Sequence, residues 1–122
     1  MFHEMQVWNF NRDSLIGYGF KDVTVEYKED GQNWDILSGA NQFEEATGTS
    51  DYQYNTTVDF NGLVVKSVKI TAYSNWGGYS QYGLSEVRFM FVPTYAREPV
   101  PEMNATNVPI NLTLSWKSGR EA

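Results

Sequence analysis

Few residues in this sequence could do acid–base or nucleophilic chemistry. His3 is the only histidine, and no local motif would let it serve a serine as base, so it reads as a polar residue at a strand end. Glu29-Asp30 and Glu44-Glu45 are adjacent pairs. On extended backbone, neighbouring side chains diverge to opposite faces, whereas glycoside hydrolysis needs two carboxyls about 5–10 Å apart across a cleft. Both pairs read as solvated surface. Gly17-Tyr18-Gly19 lacks the third glycine and the following helix of a phosphate cradle, and reads as a turn. With no cysteine there is no disulfide framework, thiolate metal site or thiol nucleophile. No enzyme is expected.

What remains is a kit for recognition. Val7-Trp8-Asn9-Phe10-Asn11-Arg12 and Ser74-Asn75-Trp76-Gly77-Gly78-Tyr79-Ser80-Gln81-Tyr82-Gly83 both mix amides with aromatics. A sugar ring offers a C–H face edged by hydroxyls, which a flat aromatic covers while Asn, Gln or Arg pair with the edges. The candidate ligand contacts are therefore Asn9, Asn11, Arg12, Asn75, Trp76, Tyr79 and Tyr82. Each has a plainer reading: loop asparagines are ordinary turn formers, and Trp76 is either a binding platform or a packed loop anchor. Trp8, at strand spacing, is expected in the core.

The elements that must position these residues have period 2. Val23, Val25 and Tyr27 alternate with Thr24, Glu26 and Lys28, and an Asp30-Gly31 turn leads to an antiparallel return over Trp34-Asp35-Ile36-Leu37. Thr56 to Phe60, Asn61-Gly62, then Leu63 to Tyr73 repeats the hairpin pattern, with Val68, Ile70 and Ala72 on one face. Leu84 to Val92 places Val87, Phe89 and Phe91 inward and Glu86, Arg88 and Met90 outward. No sustained helical period occurs; one helical turn is expected near Phe43 to Ala46. The class is all-β, and several one-faced strands imply two stacked sheets.

Composition bounds the rest. The 122 residues suit one modest domain plus a fragment of another. Nine Lys and Arg against 15 Asp and Glu give a net charge of −6, the wrong sign for coating a phosphate backbone, so nucleic acid is not an expected partner. No apolar run approaches the roughly 20 residues of a transmembrane segment, and Met1 to Met5 carries no signal-peptide pattern. Pro93, Pro99, Pro101 and Pro109 cluster after a proline-free stretch, which puts a boundary near 93–109. Residues 94–122 read as a linker plus the first strand or strands of a following β-domain, with Ile110, Leu112, Leu114 and Trp116 alternating.

The run from Gly19 to Trp34, with Lys28-Glu29-Asp30-Gly31-Gln32-Asn33-Trp34 at its hairpin, and the closing Leu84-Ser85-Glu86-Val87-Arg88-Phe89 resemble the discoidin, or coagulation factor V/VIII type C, domain. The resemblance covers most of residues 5–92. It implies a galactose-binding-like jelly-roll sandwich over 1–93, similar to family 32 carbohydrate-binding modules, without its front section. The tail resembles the junction to an immunoglobulin- or fibronectin-like sandwich in large secreted bacterial proteins. By this resemblance Glu86 matches a glutamate that completes a structural calcium site, while the loop that supplies most of the other ligands has no counterpart here. The implied function is a non-catalytic attachment module of a secreted or cell-surface multidomain protein, with cell-surface or environmental glycans as partners beside the neighbouring domains of its own chain. Two alternatives stay open: adhesion to protein or membrane surfaces, and a purely structural spacer. The sequence departs from the sugar-binding subset after Trp8, where Asn9 to Asn11 replace an arginine and Arg12 is only nearby.

Overall fold

The computed structural model describes residues 2–29, 31, 33–63, 65–91 and 95–119, except the side chain of Arg97. Asp30 of the expected turn, Val64 at the expected strand and the Pro93 boundary lie outside the described residues. The strands are β1 (Phe2–Asn9), β2 (Val23–Lys28), β3 (Asp35–Ile36), β4 (Thr56–Asp59), β5 (Ser67–Ala72), β6 (Leu84–Phe91), β7 (Arg97–Val100) and β8 (Ser115–Lys117), with one 3-10 turn at Ile16–Tyr18. The fold is all-β. Among the described residues no helix is long and apolar enough to cross a membrane. The chain divides into two compact units, residues 1–91 and 92–122.

In the first unit, antiparallel sheets ordered β4-β1-β6 and β3-β2-β5 turn their apolar faces to one core. The alternation along each strand decides which side chains enter it. Met5 and Val7 of β1, Val58 of β4 and Val23 and Val25 of β2 are buried, with Phe43, Phe60 and Val65 from the connections. Val68, Ile70 and Ala72 of β5 and Val87 and Phe89 of β6 pack against them. Each such side chain, fully buried, contributes about 1.5–3 kcal/mol against chain entropy.

The register places the loops. Asn9 pairs with Leu84, Val7 with Thr56 and Val23 with Ala72, so β1 and β5 end where β2, β4 and β6 begin. The connections 10–22, 37–55 and 73–83 therefore gather at one pole. Bridges Gly19 to Gly83, Phe20 to Asn75 and Asp22 to Gln42 knit the three together.

Several expectations need correction. Asn61-Gly62 does not close a hairpin: β4 pairs with β1 and β5 with β2, so the turn carries the chain from one sheet to the other. The reason is on either side of it, where Phe60 and Val65 are both fully buried and draw their segments into the core between the layers. No helical turn forms at Phe43 to Ala46, because that backbone is bonded elsewhere: Phe43 N–H to Lys21 O, Glu44 N–H to Thr56 Oγ1, and Glu45 O to Asn55 Nδ2. Trp8 lies outside the core, since Met5, Val7 and Asn9 take the inward parity of β1. Its indole meets the ring of Tyr54 edge-on at 5.0 Å, and the Arg88 guanidinium sits 4.7 Å from its centroid. Phe91 is 62% exposed, because a register shift between Phe2 and Glu4 leaves it at the rim against the Phe2 ring. β2 and β3 pair antiparallel as expected, though the return strand is only Asp35–Ile36.

The second unit is a two-stranded ribbon in which Arg97 pairs with Lys117 and Val100 with Ser115. The expected strand over 110–116 shortens to Ser115–Lys117, with Ile110, Leu112 and Leu114 exposed. Of that alternating run only Ser115 and Trp116 lie in the strand that pairs with β7.

Candidate functional site

The pole carries a glycine-bearing loop whose shape is set by one amide. Asn75, 6% exposed, donates both Nδ2 hydrogens, to Tyr79 O at 2.8 Å and Gln81 O at 2.7 Å, and its Oδ1 accepts the Tyr79 N–H at 2.9 Å. The loop is clamped to the 16–20 turn by Trp76 N–H to Gly19 O, Gly77 N–H to Gly17 O and Gly83 N–H to Tyr18 O. A Cβ at position 77 would lie 2.1 Å from Tyr79 Cε2, so the glycine is what lets that ring settle where it does. The Tyr79 ring thus lies against the Gly77 backbone and beside Tyr18, with centroids 4.5 Å apart and planes tilted by 33°, and 47% of the residue is exposed. Tyr82, 45% exposed, meets Phe20 edge-on and donates its hydroxyl to Tyr73 O at 3.1 Å. Tyr73 is exposed too, with its hydroxyl 3.3 Å from Thr24 Oγ1.

The expected hydroxyl-pairing amides face inward. Asn9 is 0% exposed and donates to Phe20 O at 2.7 Å and Glu44 O at 2.8 Å, while its Oδ1 accepts the Phe10 N–H at 2.9 Å. A Cβ at Gly19 would lie 2.8 Å from that Oδ1, so the close approach itself requires glycine. Asn11 donates to Thr49 O and accepts the Gly48 N–H at 2.7 Å. Asn9, Asn11 and Asn75 are therefore the rivets of the pole, because each amide satisfies backbone groups that the irregular loops leave unpaired. Their amides are thus engaged with backbone groups, where the sequence suggests ligand forks. Trp76 is an anchor: half-buried, its Nε1 donates to Phe43 O at 3.1 Å and Lys21 Nζ lies 5.0 Å from its ring. Arg12 is exposed on the 10–22 connection. Of the expected contacts, Asn75, Trp76, Tyr79 and Tyr82 share the 73–83 loop, and of these the two tyrosines are exposed.

Glu86 stands on the outer face of β6 with its carboxylate on Arg88 Nε at 2.5 Å. Among the described residues no group of three or more His, Asp or Glu gathers as a metal site. The ion pair with Arg88 is an ordinary same-face contact two residues along an exposed strand.

A second feature was not singled out from the sequence. Thr47, Thr49, Asp51, Tyr52, Gln53 and Asn55 wall a concavity of about 420 Å³ in the 37–55 connection. The Tyr52 hydroxyl accepts the Asn9 N–H and donates to Asn55 Oδ1, both at 2.9 Å. Burial raises its pKa above the usual phenol value, against the opposing effect of the Asn9 N–H. Asp51 is held below the usual carboxylate value by the Thr49 hydroxyl and then by its own backbone N–H. The legible signal was the run Thr47-Gly-Thr-Ser-Asp-Tyr-Gln-Tyr-Asn55, a polar stretch with two tyrosines. A larger concavity, about 630 Å³, lies in the second unit between β7 and β8 against Met103 and Trp116. Its walls are two short strands and exposed side chains, a poor frame for rigid recognition.

Compared with known proteins, the chain matches no family model, no curated protein and no solved structure.

Proposed function

We propose that the first unit is a non-catalytic attachment module that holds glycans by stacking their ring faces on Tyr79 and Tyr82. Its sandwich would be of the discoidin, galactose-binding-like type, working in a secreted or cell-surface multidomain protein. The observation that carries the reading is the pair of exposed tyrosines on a loop whose own polar groups are already bonded to Asn75, so the platform is formed before any ligand arrives. Preorganisation lowers the entropic cost of binding. Aromatic rings stacked on C–H faces discriminate little between sugars, and two such contacts with a few neutral hydrogen bonds imply dissociation constants of roughly 0.01–1 mM. Useful attachment then comes from several modules acting together.

The test is affinity electrophoresis of the chain through gels containing neutral polysaccharides. The chain is retarded, and Tyr79→Ala with Tyr82→Ala runs freely while melting within a few degrees of the parent. Retention unchanged by the double substitution would refute the tyrosine platform. Retention on liposomes or protein surfaces with none on glycans would replace the reading with surface adhesion.

A further inference from the structure

We propose that the concavity walled by Thr47, Thr49, Asp51, Tyr52, Gln53 and Asn55 is a polar subsite for the vicinal hydroxyls of a neutral pyranose. The inference rests on reading this pole as glycan-binding, and adds to the stacking platform the hydroxyl-pairing groups that Asn9, Asn11 and Asn75 do not supply. Its size falls in the roughly 300–1,000 Å³ range of small-ligand pockets.

The concavity is held in shape from behind and by its own walls. Asn11 grips Gly48 and Thr49 by their backbone, the Asn9 N–H fixes the Tyr52 hydroxyl, and Asn55 ties Tyr52 to Glu45 O. Thr47 and Thr49 bond each other through their hydroxyls at 2.8 Å. The outward-facing chemistry is then a carboxylate, an amide and two hydroxyls, all on exposed residues. An ionised carboxylate only accepts hydrogen bonds, and its two oxygens can take two donors side by side. Adjacent sugar hydroxyls are such a pair. The Gln53 amide can both give and accept, so it suits a third hydroxyl. A uronate or sulfated sugar would bring a second anion to Asp51, which selects for neutral rings. The Thr49 hydroxyl holds the Asp51 pKa below the usual carboxylate value, so the acceptor survives mild acid.

The experiment is amide-resolved NMR titration of the whole chain with methyl galacto-, gluco- and mannopyranoside. At least one of these sugars is expected to shift the amides of 47–55 saturably. Asp51→Asn should weaken that response about tenfold, the loss of a charge-assisted bond. The response should hold down to about pH 4 and fall below it, as an Asp held under its usual value finally protonates. Shifts confined to 77–82 would overturn the polar subsite while leaving the tyrosine platform standing. A response equal in Asp51→Asn, or one as strong for methyl glucuronide, would also overturn it. Silence in both segments would end both readings.

Discussion

Asn9→Ala should be among the most damaging single substitutions in the first unit, although position 9 is not one of the apolar core positions. The side chain is fully buried and makes three hydrogen bonds: to Phe20 O at 2.7 Å, to Glu44 O at 2.8 Å and from the Phe10 N–H at 2.9 Å. At about 0.5–1.5 kcal/mol net each, the bonds alone amount to roughly 1.5–4.5 kcal/mol. Deletion also strands two carbonyls and an N–H at the junction of three loops, which moves the expectation to the upper half of that range. A loss of about 3 kcal/mol would lower the melting temperature by roughly 12–24 °C in a unit of this size. The assay is urea unfolding followed by far-UV circular dichroism, with thermal melts alongside. Asn9→Asp separates hydrogen bonding from shape, because a carboxylate would face two carbonyl oxygens with no hydrogen to offer. Its folded-state pKa would be raised, so the protonated form is the stable one. Stability of Asn9→Asp should be greatest below the ordinary Asp range and be lost as pH rises through the raised value. An Asn9→Ala protein within about 0.5 kcal/mol of the parent, below the value of a single net hydrogen bond, would refute the claim that this amide holds the pole together.

Trp76→Phe should cost about 1 kcal/mol by losing the bond to Phe43 O, and Trp76→Ala about twice that or more through lost packing, both read by urea unfolding. Glu86→Gln should change stability by less than about 0.5 kcal/mol, because its pair with Arg88 is exposed on both sides. Gly77→Ala should displace the Tyr79 ring and weaken glycan retention in affinity gels while leaving the core strands protected in hydrogen exchange. Because Tyr52 titrates above its usual value in the folded chain, stability should be retained below about pH 10 and decline as pH rises past it. Tyr52→Phe should remove that part of the decline in alkaline melts.

The strands were legible because burial on one face writes itself as alternation: Met5 and Val7, Val23 and Val25, and Val68, Ile70 and Ala72 announce which side meets the core. Pairing was less legible. Asn61-Gly62 accepts the same positive φ values, 52° and 78°, whether the chain folds back or crosses to the other layer. Only the burial of Phe60 and Val65 decides between them. The tyrosines were visible in the composition of 73–83, but the inward orientation of Asn75 and of Asn9 was not. An amide in a loop serves backbone or ligand equally well, and the choice depends on carbonyls supplied by Phe20, Glu44, Tyr79 and Gln81 once the fold is assembled. The 47–55 concavity was hidden for a related reason. Its walls come from a segment without regular structure, and the residues that stiffen it, Asn9 and Asn11, stand about 40 positions away.

The central claim, that exposed tyrosines on a prefolded loop grip sugar rings, is tested most directly by affinity electrophoresis of the parent chain and of Tyr79→Ala with Tyr82→Ala through neutral polysaccharide gels. The predicted result is retardation of the parent, free migration of the doubly substituted chain, and melting curves that nearly coincide. Equal retardation of the two proteins, or none of the parent in any gel, would contradict it.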